Sequence, residues 1–138
     1  MTVTLNPYLN FRANARQAMQ FYQSVFGGEL TLNTFADIQS AHDPSDNDLI
    51  MHGQLNGPNG LVLMGADTPK DMSHQEFAGF SISLSGDDEG ALRDYWEKLA
   101  VGGTVLQPLE VAPWGDAFGM VTDQFGVTWL VNIAGAAA

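Results

Sequence analysis

A helix pattern that stops at two glycines decides the fold: Phe21-Tyr22-Gln23-Ser24-Val25-Phe26-Gly27-Gly28. Together with Ala18, its apolar residues follow the spacing i, i+3, i+4, i+7, i+8 of an amphipathic helix. Glycine readily takes the left-handed conformation found just after helix ends, so the glycine pair predicts where this helix stops. The same pattern returns later in the chain in Leu92, Tyr95, Trp96, Leu99 and Ala100, followed by Gly102-Gly103.

Extended segments flank both predicted helices, at 7–11 and 30–35 around the first and at 80–84 and 104–106 around the second. Alternating strands and turn-rich segments follow each of these units, so the predicted order is βαβββ, stated twice. We therefore predict an α+β fold of two tandem βαβββ modules that form a curved mixed sheet. One helix per module covers one face of the sheet, which leaves a concave cavity on the other.

The predicted boundaries divide one domain, 1–138, into a module at about 3–66, a linker at about 67–76 and a module at about 77–134. Segment 36–48 is polar and is expected to be a long mobile loop. Within the first module, Asn14 is the expected N-cap of the helix, because its side chain can accept a hydrogen bond from a free helical amide.

Alternation along two strands predicts which side chains face the helix. In the segment 49–55, Leu49, Met51, Gly53 and Leu55 are expected on the helix side, with Ile50, His52 and Gln54 on the opposite side. In the segment 80–85, Phe80, Ile82 and Leu84 are expected to point inward.

Composition excludes several classes of function. The net charge is −11 with only five basic residues, so the chain lacks the basic stripe that nucleic acids require and would be repelled by anionic membranes. Cysteine is absent, which excludes disulfides, thiolate metal sites and thiol nucleophiles. No apolar run approaches the ~20 residues that span a bilayer, and no signal peptide is visible, so a cytoplasmic protein is expected.

Five segments, taken in order, resemble the PhnB-like branch of the glyoxalase/bleomycin resistance (vicinal oxygen chelate) superfamily: 6–11, 18–28, 50–53, 114–119 and 121–129. This resemblance implies paired βαβββ modules and, usually, homodimers. It implies lyase, isomerase, ring-cleaving dioxygenase or drug-sequestering activity, in many members with a divalent metal ion.

The metal ligands that the resemblance implies do not carry over to this chain. The family pattern places His or Gln in the first strand of each module and Glu in the last. Those positions fall on Pro7, Met64 or Gly65, Ser81 or Ser83, and Leu130. A divalent ion needs several carboxylates or imidazoles. We therefore predict no metal at the usual positions and no other cofactor, although a metal held by other ligands stays open.

His52 is the main candidate for chemistry, since an imidazole can act as an acid or base, or can donate a hydrogen bond to a ligand. The alternative is a structural histidine bonded to a neighbouring strand. Trp114 and Phe118 could line an apolar pocket. Asn10 and Asn132 could act as amide ligands to a polar substrate or could bond across strands. The predicted ligand-binding set is Asn10, His52, Gln54, Trp114, Phe118 and Asn132.

Other polar and aromatic residues receive structural interpretations. His42 and His74 lie in polar loops and are expected to be solvated. Trp129 is expected in the core, and Asp116 and Asp123 are expected to form turns. Arg12 and Arg16 could bind an anion, but exposed arginines at a helix edge usually contribute little.

Three hypotheses of function follow. The first is a protein that binds a small molecule in the concave cavity without the usual metal ligands. The second is a lyase, isomerase or dioxygenase type of enzyme on a small oxygenated substrate, with His52 as acid/base or as an atypical metal ligand. The third is a structural dimer partner with an unused cavity. All three expect a homodimer, and none expects nucleic acid or a membrane as a partner.

Overall fold

A computed structural model describes residues 3–37 and 44–135. The chain divides into two compact units, Met1–Gln75 and Glu76–Ala138. The described elements of the first unit are β1 (Tyr8–Phe11), α1 (Ala15–Phe26), β2 (Glu29–Thr34), β3 (Ile50–Asn56) and β4 (Val62–Asp67). Those of the second are β5 (Ile82–Gly86), α2 (Glu89–Ala100), β6 (Thr104–Val111), β7 (Ala117–Thr122) and β8 (Thr128–Ile133).

Each unit forms its own open four-stranded mixed sheet. The strand order is β1-β4-β3-β2 in the first sheet and β5-β8-β7-β6 in the second. The pairs β1/β4 and β5/β8 are parallel, and the other pairs are antiparallel. The predicted α+β fold of two βαβββ modules is confirmed. Residues 38–43 of the expected loop between β2 and β3 lie outside the described part of the chain.

The glycine pairs end the helices as predicted. Gly27 follows α1 with φ +77°, and its amide donates to the carbonyl oxygen of Gln23 at 2.8 Å. After α2, Val101 intervenes and Gly102 takes φ +73°. A Cβ atom at Gly28 would collide with the carbonyl oxygen of Asn56, and one at Gly103 would collide with that of Thr122. The second glycine of each pair therefore lets the next strand start close against the end of β3 or of β7.

Each helix packs on a single face of its own sheet, over glycines in the strands. A Cβ atom at Gly65 would lie 3.2 Å from the sulfur of Met19, and one at Gly119 would lie 2.8 Å from the ring of Trp96. Gly53 and Gly119 occupy the same place in the two units, since Gly53 pairs with Gly65 between β3 and β4, and Gly119 pairs with Val131 between β7 and β8. The apolar residues under α1 include Leu9, Phe11 and Leu55, all nearly inaccessible to solvent.

The helix α1 begins at the predicted residue but is capped differently. Asn14 occupies the N-cap position, yet its side chain makes no cap hydrogen bond. The amide of Ala15 donates instead to Oδ1 of the buried Asp67, at 2.9 Å. Oδ2 of the same carboxylate accepts from the amide of Ile50, also at 2.9 Å. Asp67 thus belongs to β4, although the sequence places it in the linker, and it ties the helix start to β3.

The predicted side-chain directions of Ile50 and Phe80 were wrong. Ile50 is fully buried, not on the face of His52, because the ladder between β2 and β3 shifts register between Asn33 and Thr34. This β-bulge adds one residue on β3 and reverses the alternation beyond it. Phe80 precedes β5 and is 47% exposed, so it does not point inward. Within the described residues, neither helix is long and apolar enough to cross a membrane.

The carboxylate of Asp67 generates a stability prediction. In Asp67→Ala, two buried amides lose their acceptor, so we expect the free energy of unfolding to fall by about 2–4 kcal/mol. Asp67→Asn keeps one acceptor oxygen and should lose less. Urea denaturation followed by circular dichroism measures both variants. The matched control is Asp71→Ala, an exposed residue, which should change stability by less than about 0.5 kcal/mol. Equal effects of Asp67→Ala and Asp71→Ala would contradict this role.

Candidate functional site

The face of the first sheet opposite α1 carries a cluster of polar side chains. Register places Tyr8 beside Met64, Met64 beside Gln54, and Gln54 beside Thr31. A second row pairs Asn10 with Ala66 and Asn33 with His52. We call these eight residues the polar face. Its members are Tyr8, Asn10, Thr31, Asn33, His52, Gln54, Met64 and Ala66.

A chain of hydrogen bonds runs along the polar face from Tyr8 to Asn56. The Tyr8 hydroxyl lies 3.4 Å from Nδ1 of His52, and Nε2 of His52 lies 3.4 Å from Oε1 of Gln54. Nε2 of Gln54 then donates to Oδ1 of Asn56 at 3.0 Å. Because Oε1 of Gln54 can only accept, Nε2 of His52 is the donor. In the neutral imidazole, Nδ1 is then the acceptor and the Tyr8 hydroxyl donates to it.

The surroundings of Tyr8 keep its hydroxyl in the neutral form. Burial raises the pKa of Tyr8 above its usual value, because the phenolate is poorly solvated there. The side chain is still 46% exposed, and its ring centroid lies 5.8 Å from that of His52. Tyr8 and His52 together therefore present an accessible phenol and imidazole that can donate, accept or relay a proton.

The structure brings only two of the six predicted ligand-binding residues into direct contact on this face. His52 and Gln54 are hydrogen-bonded neighbours, as their positions on one strand face predict. Asn10 lies exposed on the same sheet face, next to Ala66 of β4. Tyr8 was missed by sequence reasoning. The parallel pairing of β1 with β4 brings it within reach of His52, and no local pattern shows that pairing.

The other three predicted residues belong to the second unit and form a separate group. Trp114 is 63% exposed on the loop before β7 and makes an edge-to-face contact with Phe118, with ring centroids 6.0 Å apart. Phe118 pairs across strands with Asn132, whose Nδ2 donates to Oδ2 of Asp116 at 3.1 Å. Asn132 therefore bonds across strands, which is the second of the two alternatives for this residue.

Asp116 is more than the turn residue that its sequence context suggests. Its Oδ1 accepts a hydrogen bond from the amide of Gly135 at 3.0 Å, so both of its oxygens have a donor. These hydrogen bonds, from Asn132 first and then from Gly135, lower the pKa of Asp116. The carboxylate stays ionised and fixes the end of β8 against the loop that carries Trp114.

The remaining candidates serve the structure. Trp129 is buried, as predicted, and its indole N–H donates to the carboxylate of Asp123, which also accepts two amides of its turn. His74 contacts the Thr68 hydroxyl at 3.2 Å. The guanidinium of Arg12 donates to the carbonyl oxygens of Thr68, Pro69 and Met72, which occupies it within the unit. His42 lies outside the described residues.

The positions that would hold a metal ion in the family pattern lie side by side within each unit. The amide of Met64 donates to the carbonyl oxygen of Pro7 at 3.1 Å, and Ser83 pairs with Leu130 between β5 and β8. These side chains offer no carboxylate or imidazole, so they do not fit a divalent ion. Across residues 3–37 and 44–135, no group of three or more His, Cys, Asp or Glu residues is arranged to hold one.

Comparison with known proteins places this geometry in a family. Residues 4–131 match the model of the Glyoxalase/Bleomycin resistance protein/Dioxygenase superfamily. The protein YjdN of Escherichia coli is 27% identical to the chain, with 94% of each covered.

Two solved structures share the fold. The protein PA1353 from Pseudomonas aeruginosa is 34% identical with a TM-score of 0.80, over 96% of this chain and 98% of that one. A PhnB protein from Bacillus cereus, described as a putative 3-demethylubiquinone-9 3-methyltransferase, is 24% identical with a TM-score of 0.75, over 96% of this chain and all of that one. The expected likeness to a PhnB protein is thus found in the fold.

The hydrogen bond from Asn132 to Asp116 generates a prediction about ionisation. In Asn132→Ala the carboxylate loses its main donor, so we expect the pKa of Asp116 to rise toward its ordinary value. Carboxyl carbon shifts in an NMR pH titration measure it. Asn33→Ala, which removes an amide from the other unit, is the control and should leave this pKa unchanged. The same pKa in Asn132→Ala as in the original protein would contradict the assigned cause.

Proposed function

Because the chain belongs to the glyoxalase/bleomycin resistance protein/dioxygenase superfamily, we propose that it binds a small molecule on the polar face of its first unit. Binding uses hydrogen bonds from the protein and does not use the metal ligands usual in the family. The sequence predicts a cavity on the sheet face that the helix leaves open, and the polar face gives that prediction a named set of side chains.

The observation that carries this proposal is the hydrogen-bond chain from Tyr8 through His52 and Gln54 to Asn56 on the uncovered side of the sheet. Burying polar side chains on the apolar face of the sheet would cost free energy. Here they lie on the other face, where α1 does not pack. The bonds at His52 are long, at 3.4 Å, so a ligand can compete for its nitrogens without breaking a strong contact.

The second unit supplies a different kind of contact surface. Trp114 and Phe118 expose aromatic surface that favours an apolar or aromatic ligand group, and Asn132 and Asp116 fix the strand and loop that hold them. We propose these residues as a second, apolar contact region.

A binding experiment tests the role of His52. A compound found by thermal-shift screening to stabilise the protein should bind about tenfold more weakly to His52→Phe, because the aromatic replacement keeps the volume but loses the hydrogen bonds. His74→Phe, the same change at a histidine of the 68–75 segment, should bind normally. Chelation with EDTA should not affect binding in any of the three proteins. Equal binding by His52→Phe, or loss of binding on chelation, would contradict the proposal.

The pairing of His52 with Tyr8 favours an enzyme as the second candidate. A neutral imidazole that accepts at Nδ1 from a phenol can take up a proton from a substrate and return it. The variant His52→Gln distinguishes the two functions, because glutamine keeps the hydrogen bonding but has no basic nitrogen that can take up a proton. Turnover of the bound compound that disappears in His52→Gln while affinity is kept would establish the enzyme. Binding without turnover in the original protein would leave the binding function.

We also propose that the chain forms a homodimer through the edge strand β6. This strand closes one edge of the second sheet and exposes Val105, Leu106 and Val111, which are 46–54% accessible. An exposed apolar edge strand favours pairing with another chain, and a second copy presents the same edge.

Nucleic acid is not expected as a partner at a net charge of −11. The cytoplasmic location stays a prediction.

Charge placed on this edge tests the dimer. Leu106→Lys should convert a species of twice the chain mass to a species of one chain mass in sedimentation velocity, because burying the ammonium group without a partner is unfavourable. Met72→Lys is the control, since Met72 is 58% exposed but lies in the other unit. A dimer that survives Leu106→Lys, or a monomeric original protein, would contradict the proposal.

A further inference from the structure

We propose that the polar face, if it is the binding site proposed above, selects an uncharged ligand that carries several hydroxyl groups, as a sugar ring does, over carboxylates and amines of the same size. This inference names the ligand class for that site and depends on it. It follows from the charge and the hydrogen-bonding capacity of the eight side chains.

The polar face contains no permanently charged side chain. Six of its eight side chains are polar, namely Tyr8, Asn10, Thr31, Asn33, His52 and Gln54, and the other two are Met64 and Ala66. None of the eight has a carboxylate, ammonium or guanidinium group. A charged ligand placed there would lose solvation without gaining an opposite charge, and that loss costs free energy.

The second sheet provides an internal comparison. Phe118 pairs with Glu110 of β6, so a carboxylate enters the row that is equivalent to the row of His52 and Asn33. On the first sheet, an acidic residue occurs only one row further on, where Glu29 pairs with Asn56 at the start of β2. The two central rows of the first sheet thus contain no carboxylate, whereas the equivalent row of the second sheet contains Glu110.

The hydrogen-bond chain from Tyr8 to Asn56 can run in either direction. In the arrangement described above, Tyr8 donates to His52 and leaves its own oxygen as an acceptor. The imidazole can take its other tautomer, and the side-chain amides of Gln54 and Asn56 can rotate by half a turn. Every hydrogen bond in the chain then reverses its direction, and the Tyr8 hydroxyl becomes free to donate. A ligand hydroxyl both donates and accepts, so it satisfies either arrangement. A carboxylate only accepts, and an ammonium group only donates.

Three glycosides of nearly equal size test this preference. Phenyl glucoside is uncharged, phenyl glucuronide carries a carboxylate, and phenyl 2-amino-2-deoxyglucoside carries an amine. Each is titrated into the full chain at neutral pH, and the amide signals of β1, β3 and β4 are followed by NMR. We expect the glucoside to shift these signals and to bind about tenfold more tightly than either charged analogue, since the charged group loses solvation without gaining an opposite charge.

A charge placed within the polar face should reverse the order. Gln54→Glu should favour the amine over the glucoside, whereas the matched control Gln20→Glu, on the exposed surface of α1, should keep the original order. A charged analogue that binds best to the original protein through the same amides would overturn the ligand class and leave the site standing. No shift with the glucoside at its solubility limit would also overturn the ligand class. The proposed function itself would be contradicted by a different result, namely that no compound of any charge shifts the amide signals of β1, β3 and β4.

Discussion

One-sided packing is the constraint on which the candidate site depends. In the described residues each unit has one helix and one four-stranded sheet, so the helix covers one face of its own sheet. Successive side chains on a strand point to opposite faces, and a strand that places Gly53 and Leu55 under α1 must place His52 and Gln54 on the other side. Polar residues are tolerated there because they are not taken from water into the core. The site is therefore a consequence of how the helix packs.

Close packing of the helix requires the strand glycines and in turn rigidifies the sheet. Met19 and Trp96 occupy the space that a side chain at Gly65 or Gly119 would need. The buried carboxylate of Asp67 adds a polar tie, since it joins the first amide of α1 to the first residue of β3. His52 lies two residues beyond that tie. Its position thus rests on the same contacts that start the helix and the strand.

The sequence predicts the features that depend on short-range periodicity. It does not predict the features that depend on contacts between residues distant in the chain. The apolar spacing and the glycine pairs correctly predict both helices, and alternation correctly joins His52 to Gln54. The burial of Ile50 depends on a bulge formed with β2, and the cap of α1 comes from Asp67, 52 residues away from Ala15. Tyr8 reaches His52 only through the parallel pairing of β1 with β4. None of these contacts has a local signal in the chain.

The repeated unit explains the architecture, whereas the differences between the two copies carry the chemistry. His52 precedes Gly53 and Phe118 precedes Gly119, so the two side chains occupy equivalent places on the uncovered faces of their sheets. One copy has an imidazole in a chain of neutral hydrogen bonds, and the other has a phenyl ring against an exposed indole. A purely structural role would favour similar side chains in both copies, because each of these sheet surfaces would then need only to contact water. The polar surface of the first unit and the aromatic surface of the second instead differ as surfaces that contact ligands do, and this difference favours a binding function over an unused fold.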